Sequence, residues 1–327
     1  MTDKVYGVDP VLIIDFEREA EKIADKMRKI LSQDLHRRGF VIAMSGGIDS
    51  SVCAALAVKA LGNKKVFGLL MPEKDSSSNS GDLATLLAEH LGIEYAVNNI
   101  ASTLDAIGCY QWRDDAIRQV FPKYTSEWKN KIVIVGGIEG QINHYNIVVE
   151  NPQGERFEEM LPLKSYLTIV AATNHKQRVR KALEYFHADR LNYAVIGTPN
   201  RLEYDQGFFV KNGDGAADIK PISHLYKSQV YAMARHLGLP EVICDTTPTT
   251  DTYSLEQGQD EFYFALPYKE MDIALWYLNN GNTEAELADK LGINQQQAKN
   301  IYKDILAKRR TTKYLHLEPQ LIEKNII

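Results

Sequence analysis

The seven residues from Ser45 to Ser51 have the types and spacing of a phosphate-binding turn. They read Ser-Gly-Gly-Ile-Asp-Ser-Ser, after the apolar run 40–44 and before a helix-like segment, 52–61. Glycines let the backbone approach an anion closely, and the free N–H groups and the dipole of a helix N-terminus attract it. A carboxylate beside a polyphosphate, as Asp49 would be, is a ligand for Mg²⁺. The segment therefore predicts a phosphate site with a magnesium ion beside it.

The turn differs from the ordinary P-loop, because no G-x-x-x-x-G-K-[ST] occurs in the sequence. Its pattern, S-G-G-x-D-S, resembles the pyrophosphate loop of the N-type ATP pyrophosphatases. That resemblance implies that ATP is cut between its α- and β-phosphates, so that a substrate is adenylated and not phosphorylated. A chance Ser/Gly turn at a helix start is the competing interpretation, and six matching characters after an apolar strand disfavour it.

A second group of polar residues follows the apolar run 193–197. A strand that ends in Gly-Thr predicts another crevice at the carboxyl edge of a parallel sheet, where such folds bind ligands. The residues nearby offer a hydroxyl group, one carboxylate that could bind a metal, another that could accept a hydrogen bond, and two positive charges that could bind phosphates. They are Thr198, Glu203, Lys211, Asp218 and Lys227.

Three motifs in this region resemble those of the NAD synthetases. They are G-T-x-x-x-x-E at 197–203, G-F-F-x-K-x-G-D-G-x-x-D at 207–218 and P-I-x-x-L-x-K at 221–227. Shorter matches are N-x-x-x-R-x-R at 174–180, the loop 248–251 and Y-x-x-M-D at 268–272. The resemblance covers roughly 39–100 and 164–310, and the G-D-G-x-x-D run makes it specific.

The resemblance implies a role for each matching position. Asp49 and Glu203 would bind Mg²⁺, and Asp49, Lys227 and Thr249 would be catalytic. The residues that would contact ATP are Ser45, Gly46, Gly47, Ile48, Asp49, Ser50, Ser51, Thr198, Lys227 and Thr249. Those that would contact deamido-NAD are Arg178, Lys211, Asp218 and Lys308. The family also implies a homodimer with its sites near the subunit interface.

The implied activity is an amide ligase that adenylates the carboxylate of deamido-NAD and transfers ammonia, giving NAD, AMP and PPi. Ammonia is expected to be used directly, because the chain has no room for a glutaminase domain. Departures from the family pattern are Pro199-Asn200 after Gly-Thr, Ala307 in place of a histidine before Lys308, and extra residues at 101–163. Because of these departures an alternative function stays open, namely a ligase of the same architecture that acts on another carboxylate, such as a sugar acid or a biosynthetic intermediate.

A different class of function is suggested by residues 283–294, which resemble the first helix and turn of a helix-turn-helix. Residues 295–310 would then be a recognition helix of a DNA-linked regulator. The stretch 283–313 has seven Lys/Arg against four Asp/Glu, which is only mildly basic. Two helices that complete an enzyme domain are therefore favoured.

The elements that must hold these residues alternate in the sequence. A helix is predicted over 11–38, then strands at 39–44, 65–71, 93–98 and 193–197, separated by helices at 50–61, 80–91 and 164–190, with further helices at 222–237 and 268–310. This order predicts an α/β fold with a doubly wound, mainly parallel sheet flanked by helices. We expect a synthetase domain at 1–100 and 164–310, an inserted β-hairpin region at 101–163 and a C-terminal tail at 311–327. Residues 245–254 are expected to form a mobile loop.

Composition excludes several other classes. The chain has 327 residues, 44% of them hydrophobic and 25% charged, and a net charge of −5, which disfavours a general nucleic-acid binder. Its three cysteines form no C-x-x-C, which disfavours a zinc site or a disulfide framework. The N-terminal residues are amphipathic and acidic, unlike a signal peptide, and no apolar run approaches a membrane span. We expect a cytoplasmic enzyme with small-molecule substrates.

Overall fold

The centre of the fold is a four-stranded parallel sheet in the order β3-β2-β1-β7. The strands are β1 (Phe40–Ala43), β2 (Val66–Leu70), β3 (Glu94–Val97) and β7 (Ala194–Ile196). β1 and β2 are nearly continuous apolar runs, because both faces of these strands are buried. The computed structural model describes residues 7–76, 78–135, 144–247, 253–255, 258, 263–264 and 266–323.

Helices cover both faces of the sheet, which confirms the doubly wound α/β fold. In chain order they are α1 (Phe16–Lys29), α2 (Ile48–Leu61), α3 (Ser78–Leu91), α4 (Ala101–Ala106), α5 (Cys109–Arg118), α6 (Leu163–Leu191), α7 (Arg201–Gln206), α8 (Lys227–His236), α9 (Glu241–Cys244), α10 (Tyr268–Asn279), α11 (Glu284–Leu291) and α12 (Gln295–Thr312). Phe40 and Ile42 pack in the core formed with α1, α2 and α8. Val41 packs in the core on the other face, with α5 and α6. Successive strand residues thus alternate between two cores.

The inserted sheet has three strands where the sequence predicted a hairpin. β4 (Lys129–Val135) pairs antiparallel with β5 (His144–Glu150), which pairs with β6 (Arg156–Met160). All five residues of β6 are exposed, so this strand lacks the buried apolar alternation that reveals a strand in sequence. Ile132, Ile147 and Val149 pack against α5 and α6, which attaches the insert to the rest of the molecule.

Two predicted helices have different bounds in the structure. The helix predicted over 11–38 is divided into a 3₁₀ turn (Pro10–Leu12), α1 and a π-helical turn (Ile30–Asp34). The helix predicted over 222–237 starts only at Lys227. Its start is set by a distant residue, because the buried carboxylate of Asp272 accepts from the backbone N–H groups of Lys227 and Ser228 at 3.1 and 2.6 Å.

The helices α11 and α12 belong to the main core. Thr283 and Asn294 cap their N-termini, and Gly292 ends α11 with a φ of 68°. Ala298, Ile301 and Ile305 of α12 are buried in the core. This packing is that of two helices that complete the main domain. Within the described residues, no helix is both long and apolar enough to cross a membrane.

Candidate active site

The carboxyl ends of β1, β2 and β7 open into one cleft of about 1590 Å³. Ligands of doubly wound folds bind at this edge of the sheet. The phosphate-binding turn follows β1, and the Gly197-Thr198 turn follows β7, so the two groups of residues singled out from the sequence line the same cleft. Among the described residues, the turn 45–50, Thr198, Glu203 and Lys227 all contribute to its wall.

The turn after β1 has the geometry that a phosphate requires. Gly46 has a φ of 78°, which favours glycine, and a Cβ there would collide with the backbone of Ser80. Gly47 is the N-cap of α2 and has no side chain that could cap the helix. The first N–H groups of α2 can therefore serve an anion. The serines stiffen the turn, because Ser50 and Ser51 both donate from Oγ to the Gly47 carbonyl, at 3.0 and 2.9 Å.

Asp49 connects the turn to the second crevice. Its Oδ1 accepts from Nδ2 of Asn200 at 3.0 Å, and its Oδ2 accepts from Nζ of Lys227. Asn200 is fully buried and forms a capping box with Glu203 at the start of α7. The amide N–H of Asn200 donates to Oε2 of Glu203 at 3.1 Å. Asn200 thus holds both candidate metal ligands, a role that the sequence did not reveal.

Lys227 is almost completely buried at the N-terminus of α8. Burial lowers the pKa of its ammonium group, but the nearby carboxylates of Asp49 and Glu203 outweigh that effect and raise the pKa well above its ordinary value. Lys227 is therefore a permanent cation inside the cleft. Such a charge stabilises an anion far more than an exposed lysine does, because little water screens it.

The donor set at this end of the cleft fits Mg²⁺. Asp49 and Glu203 both act on the charge of Lys227 and both line the cleft, so two carboxylates converge. No group of three or more possible metal-binding side chains occurs in the part of the chain that the structure describes. Two carboxylates with substrate phosphates and water is how Mg²⁺ is commonly held, because it dehydrates reluctantly.

Arg178 and Lys211 meet at another part of the same cleft. Nε of Arg178 donates to the backbone carbonyl of Lys211 at 3.3 Å, which joins α6 to the loop that carries Lys211. Their positions in the sequence are on α6 and in the loop after α7, so only the fold brings them together.

Two predicted substrate contacts lie elsewhere in the structure. Asp218 and Lys308 are outside the cleft lining that the described residues form. Asp218 accepts from the backbone N–H of Val195 at 2.7 Å, which secures β7. Lys308 donates to Asp304 at 2.6 Å and lies over the ring of Tyr263, which does line the cleft. Thr249 and half of the loop predicted at 245–254, residues 248–252, lie outside the described residues.

Comparison with known proteins identifies the family. The family model described as NAD synthase matches residues 19–121 and 138–313. The chain belongs to the NAD synthase family. It is 56% identical over 320 residues to the NH(3)-dependent NAD(+) synthetase of Rhizobium meliloti (strain 1021), covering 98% of this chain and 95% of that protein. It is 36% identical over 248 residues to the protein of that name from Thermotoga neapolitana, covering 75% and 79%.

Solved structures share the fold with this NAD synthase family member. The NMN synthetase of Francisella tularensis superposes with a TM-score of 0.63 at 24% identity, covering 94% of this chain and all of that one. The NH3-dependent NAD synthetase of Campylobacter jejuni superposes with a TM-score of 0.61, also at 24% identity, and covers 95% of this chain. The family model and the curated relatives confirm the sequence resemblance to the NAD synthetases, and these structures confirm the fold.

The sequence reasoning missed a buried charged group in the cleft of this family member. Lys181 and Glu184 form an ion pair of 2.7 Å on α6, and both are buried and line the cleft. Asp214 also lines it, and burial raises the pKa of its carboxyl. Asp214 lies in the G-D-G run of the motif at 207–218, so the sequence did contain a signal that could have identified it. Lys181 and Glu184 look like any exposed i,i+3 pair in sequence, so nothing marked them.

Proposed function

We propose that this chain is an ammonia-dependent NAD synthetase, a ligase that forms a carbon–nitrogen bond. It takes ATP, deamido-NAD and ammonia and yields NAD, AMP and PPi. One observation carries the proposal: the phosphate turn, with Asp49 linked to both Lys227 and Asn200–Glu203, shares a cleft with Arg178 and Lys211. Relatives named NH(3)-dependent NAD(+) synthetase at up to 56% identity support the choice of substrate.

The reaction has two displacement steps. A carboxylate oxygen of the acceptor attacks the α-phosphorus of ATP, and the bond to the β-phosphate oxygen breaks as pyrophosphate leaves. The nitrogen of ammonia then attacks the acyl carbon, AMP leaves, and a proton is lost from nitrogen. Two anions must approach each other in the first step, so positive charge and positioning supply much of the catalysis.

The residues of the chain divide this work. The N–H groups at the start of α2 and residues 45–50 bind the phosphates, with Thr198 beside them. Lys227 stabilises the charge that grows on the leaving pyrophosphate. Mg²⁺, held by Asp49 and Glu203, would screen the phosphate charge. Ser51 supports the turn without contacting ATP itself, because its side chain is fully buried and donates a hydrogen bond to the Gly47 carbonyl. Thr249 remains proposed as an ATP contact on the family resemblance alone.

Arg178 and Lys211 are proposed to bind the nicotinate half of deamido-NAD. Asp218 and Lys308 are proposed to act indirectly, through the residues that they position. Asp218 would position β7 and the Gly197-Thr198 turn by its bond to Val195. Lys308 would support Tyr263, whose ring lies 4.8 Å from its Nζ.

We also propose a homodimer, in the cytoplasm. Trp112 on α5 and Leu163 and Leu167 on α6 are large, exposed apolar side chains, with exposed fractions of 49%, 71% and 56%. They lie beside or within a shallow groove of about 510 Å³ that ends at Arg178. Exposed apolar surface of this kind favours an interface between subunits. Three buried free thiols, Cys53, Cys109 and Cys244, suit a reducing compartment.

One experiment tests the reaction. The protein is incubated with Mg-ATP, ammonium and deamido-NAD, and NAD, AMP and PPi are measured together. Equal amounts of NAD and AMP are expected. AMP formed only when another carboxylic acid replaces deamido-NAD would favour the alternative ligase, and an arm with glutamine in place of ammonium tests the nitrogen source. Salt-dependent retention on DNA would instead support a DNA-linked regulator.

A further inference from the structure

The C-terminal region contacts the cleft through Lys211. Nζ of Lys211 donates to the backbone carbonyl of Tyr314 at 2.8 Å and to that of Leu317 at 2.7 Å. These carbonyls belong to a 3₁₀ turn, Lys313–His316, and the residue after it. Thr312, Tyr314 and Leu315 line the same cleft as Lys211. Residues that the sequence suggested were a tail therefore contribute to the wall of the cleft.

The chemistry of these two bonds differs from that of an ion pair. A carbonyl oxygen accepts a hydrogen bond but carries no net charge, so these two acceptors do not act as counterions to Lys211. Lys227, by contrast, is paired with the carboxylate of Asp49. An ammonium group has three donors in tetrahedral directions, and two acceptors fix the direction of the third. The turn thus orients the third N–H of this ammonium group in a cleft that Arg178 also lines, and a charged donor of this kind suits an anionic group.

The turn is held in place by contacts built into α7 and the loop after it. The ring of His316 makes edge contacts with Tyr204 and Phe209, at centroid distances of 4.9 and 5.1 Å. Thr312, at the end of α12, packs so closely on Gly207 that any Cβ at 207 would collide with it. The φ of Gly207 is 74°, which also favours glycine. Glycine is therefore required at 207 both by the backbone conformation and by the close approach of Thr312.

A second anchor lies one turn of helix earlier. The guanidinium group of Arg309 donates two hydrogen bonds to the carboxylate of Asp205, at 2.5 and 2.8 Å. Such a bidentate pair fixes orientation as well as distance. The end of α12 and the turn after it are thus aligned on α7, the helix that also carries Glu203.

We propose that residues 313–317 are a positioning element for Lys211, which they orient toward the carboxylate of the acceptor substrate. The inference rests on the proposed function, since it takes deamido-NAD as that acceptor. The turn would therefore determine affinity for the acceptor and leave the ATP end of the cleft unaffected. The opposite possibility is that the two carbonyls compete with the acceptor for Lys211.

Two truncated proteins separate these possibilities. One ends at Thr312 and lacks the turn; the matched control ends at Pro319 and keeps it. Loss of one oriented bond to a charged group is worth about tenfold in affinity. The 1–312 protein should show a KM for deamido-NAD raised by about that factor, with the KM for ATP and the melting temperature close to those of 1–319. An unchanged or lowered KM for deamido-NAD would overturn the proposal.

A point variant and a double variant guard against a general structural effect. His316→Ala loosens the turn without shortening the chain and should raise the same KM, and His316→Phe should restore it. In a Lys211→Ala background, removal of the turn should have no further effect on the KM for deamido-NAD. Additive effects would mean that the turn does not act through Lys211.

A final measurement requires no substrate. Acetic anhydride labelling followed by peptide mass spectrometry reports the access of Lys211 directly. Lys211 should react several-fold faster in 1–312 than in 1–319, and equal rates would overturn the inference. If the full-length protein makes no NAD, the proposed function fails, and the labelling result alone then decides whether the turn holds Lys211.

Discussion

At the scale of single residues, Asp49 links the two halves of the ATP site. Its carboxylate, at the phosphate turn, receives hydrogen bonds from Asn200 and Lys227, which both belong to the second crevice. The same oxygens are the proposed ligands of Mg²⁺. Because Asp49 lies in a turn on the cleft and not in the core, its loss should affect catalysis more than folding.

We expect Asp49→Ala to abolish turnover and leave the protein folded. Loss of a metal ligand at the reacting phosphates removes charge stabilisation that other groups cannot replace. Steady-state kinetics at saturating Mg²⁺ and a thermal unfolding curve measure the two effects. Asp25→Ala, which removes an exposed carboxylate on α1, is the control and should be fully active. Normal activity of Asp49→Ala would contradict the assignment of the phosphate turn.

A second residue-scale prediction concerns Asp272. Burial raises the pKa of its carboxyl to about 7, although the N–H groups of Ser228 and Lys227 oppose the shift. An acid whose pKa is higher in the folded state binds more protons there, so its contribution to stability is present at low pH and is lost as pH rises toward 7. The slope is at most about 1.4 kcal/mol per pH unit for one group.

Urea unfolding between pH 4 and pH 8 tests this sign. The stability of the wild type relative to Asp272→Asn should decrease as pH rises from 4 to about 7 and then level off, because the variant has no carboxyl to titrate. A parallel pH dependence in the two proteins would mean that Asp272 is ionised throughout.

At the scale of elements, the inserted sheet holds a segment of the cleft wall. The N–H of Asn130 on β4 donates to Oγ of Ser254 at 2.8 Å, and the N–H of Leu255 donates to the carbonyl of Asn130 at 3.1 Å. The side-chain amide of Asn130 donates to the hydroxyl of Tyr124 at 2.8 Å. Tyr253 is buried in the core of the insert, and it lines the cleft together with Ser254 and Leu255.

We therefore expect Asn130→Ala to lower both the melting temperature and kcat/KM. Each side-chain hydrogen bond lost is worth about 1 kcal/mol. A double-mutant cycle with Ser254→Ala should show coupling, since Nδ2 of Asn130 also donates to Oγ of Ser254 at 3.3 Å. Asn146→Ala on β5 is the matched control, because it removes a side-chain bond to Glu158 in the same sheet. Full activity of Asn130→Ala would mean that the insert does not support the cleft.

At the scale of the whole molecule, the exposed apolar face formed by Trp112, Leu163 and Leu167 is the proposed dimer interface. Leu163→Glu with Leu167→Glu places two charges on this face and should shift a dimer to monomer in light scattering. Leu306→Glu on α12 is the control, since Leu306 is also an exposed leucine but lies on another helix. A wild-type protein that is monomeric at micromolar concentration would contradict the proposed dimer.

The products of ATP are a second property of the whole active site. We expect AMP and PPi, because the turn resembles a pyrophosphate loop and the chain has no Walker sequence. Phosphorus NMR of a running reaction distinguishes these products from ADP and phosphate. ADP as the main product would remove the chain from this class of ATP-cleaving enzymes.

The sequence by itself determined the fold class and the ATP half of the site. Apolar runs that alternate with helical periods specify a parallel sheet, and the turn 45–51 follows its first strand directly. The G-D-G-x-x-D run indicated the family. These signals are local, since each depends on residues close together in the chain, and so they can be read without the fold.

Only the tertiary structure decided which distant groups meet. Three such contacts join residues that are 45 to 151 positions apart in the sequence. Asn200 donates to Asp49, the N–H of Lys227 donates to Asp272, and Lys211 donates to the carbonyls of Tyr314 and Leu317. The strand β6 and the ion pair on α6 were hidden for the same reason, because exposed and buried polar residues look alike in sequence. Burial and partner choice are set by packing, and packing exists only once the chain has folded.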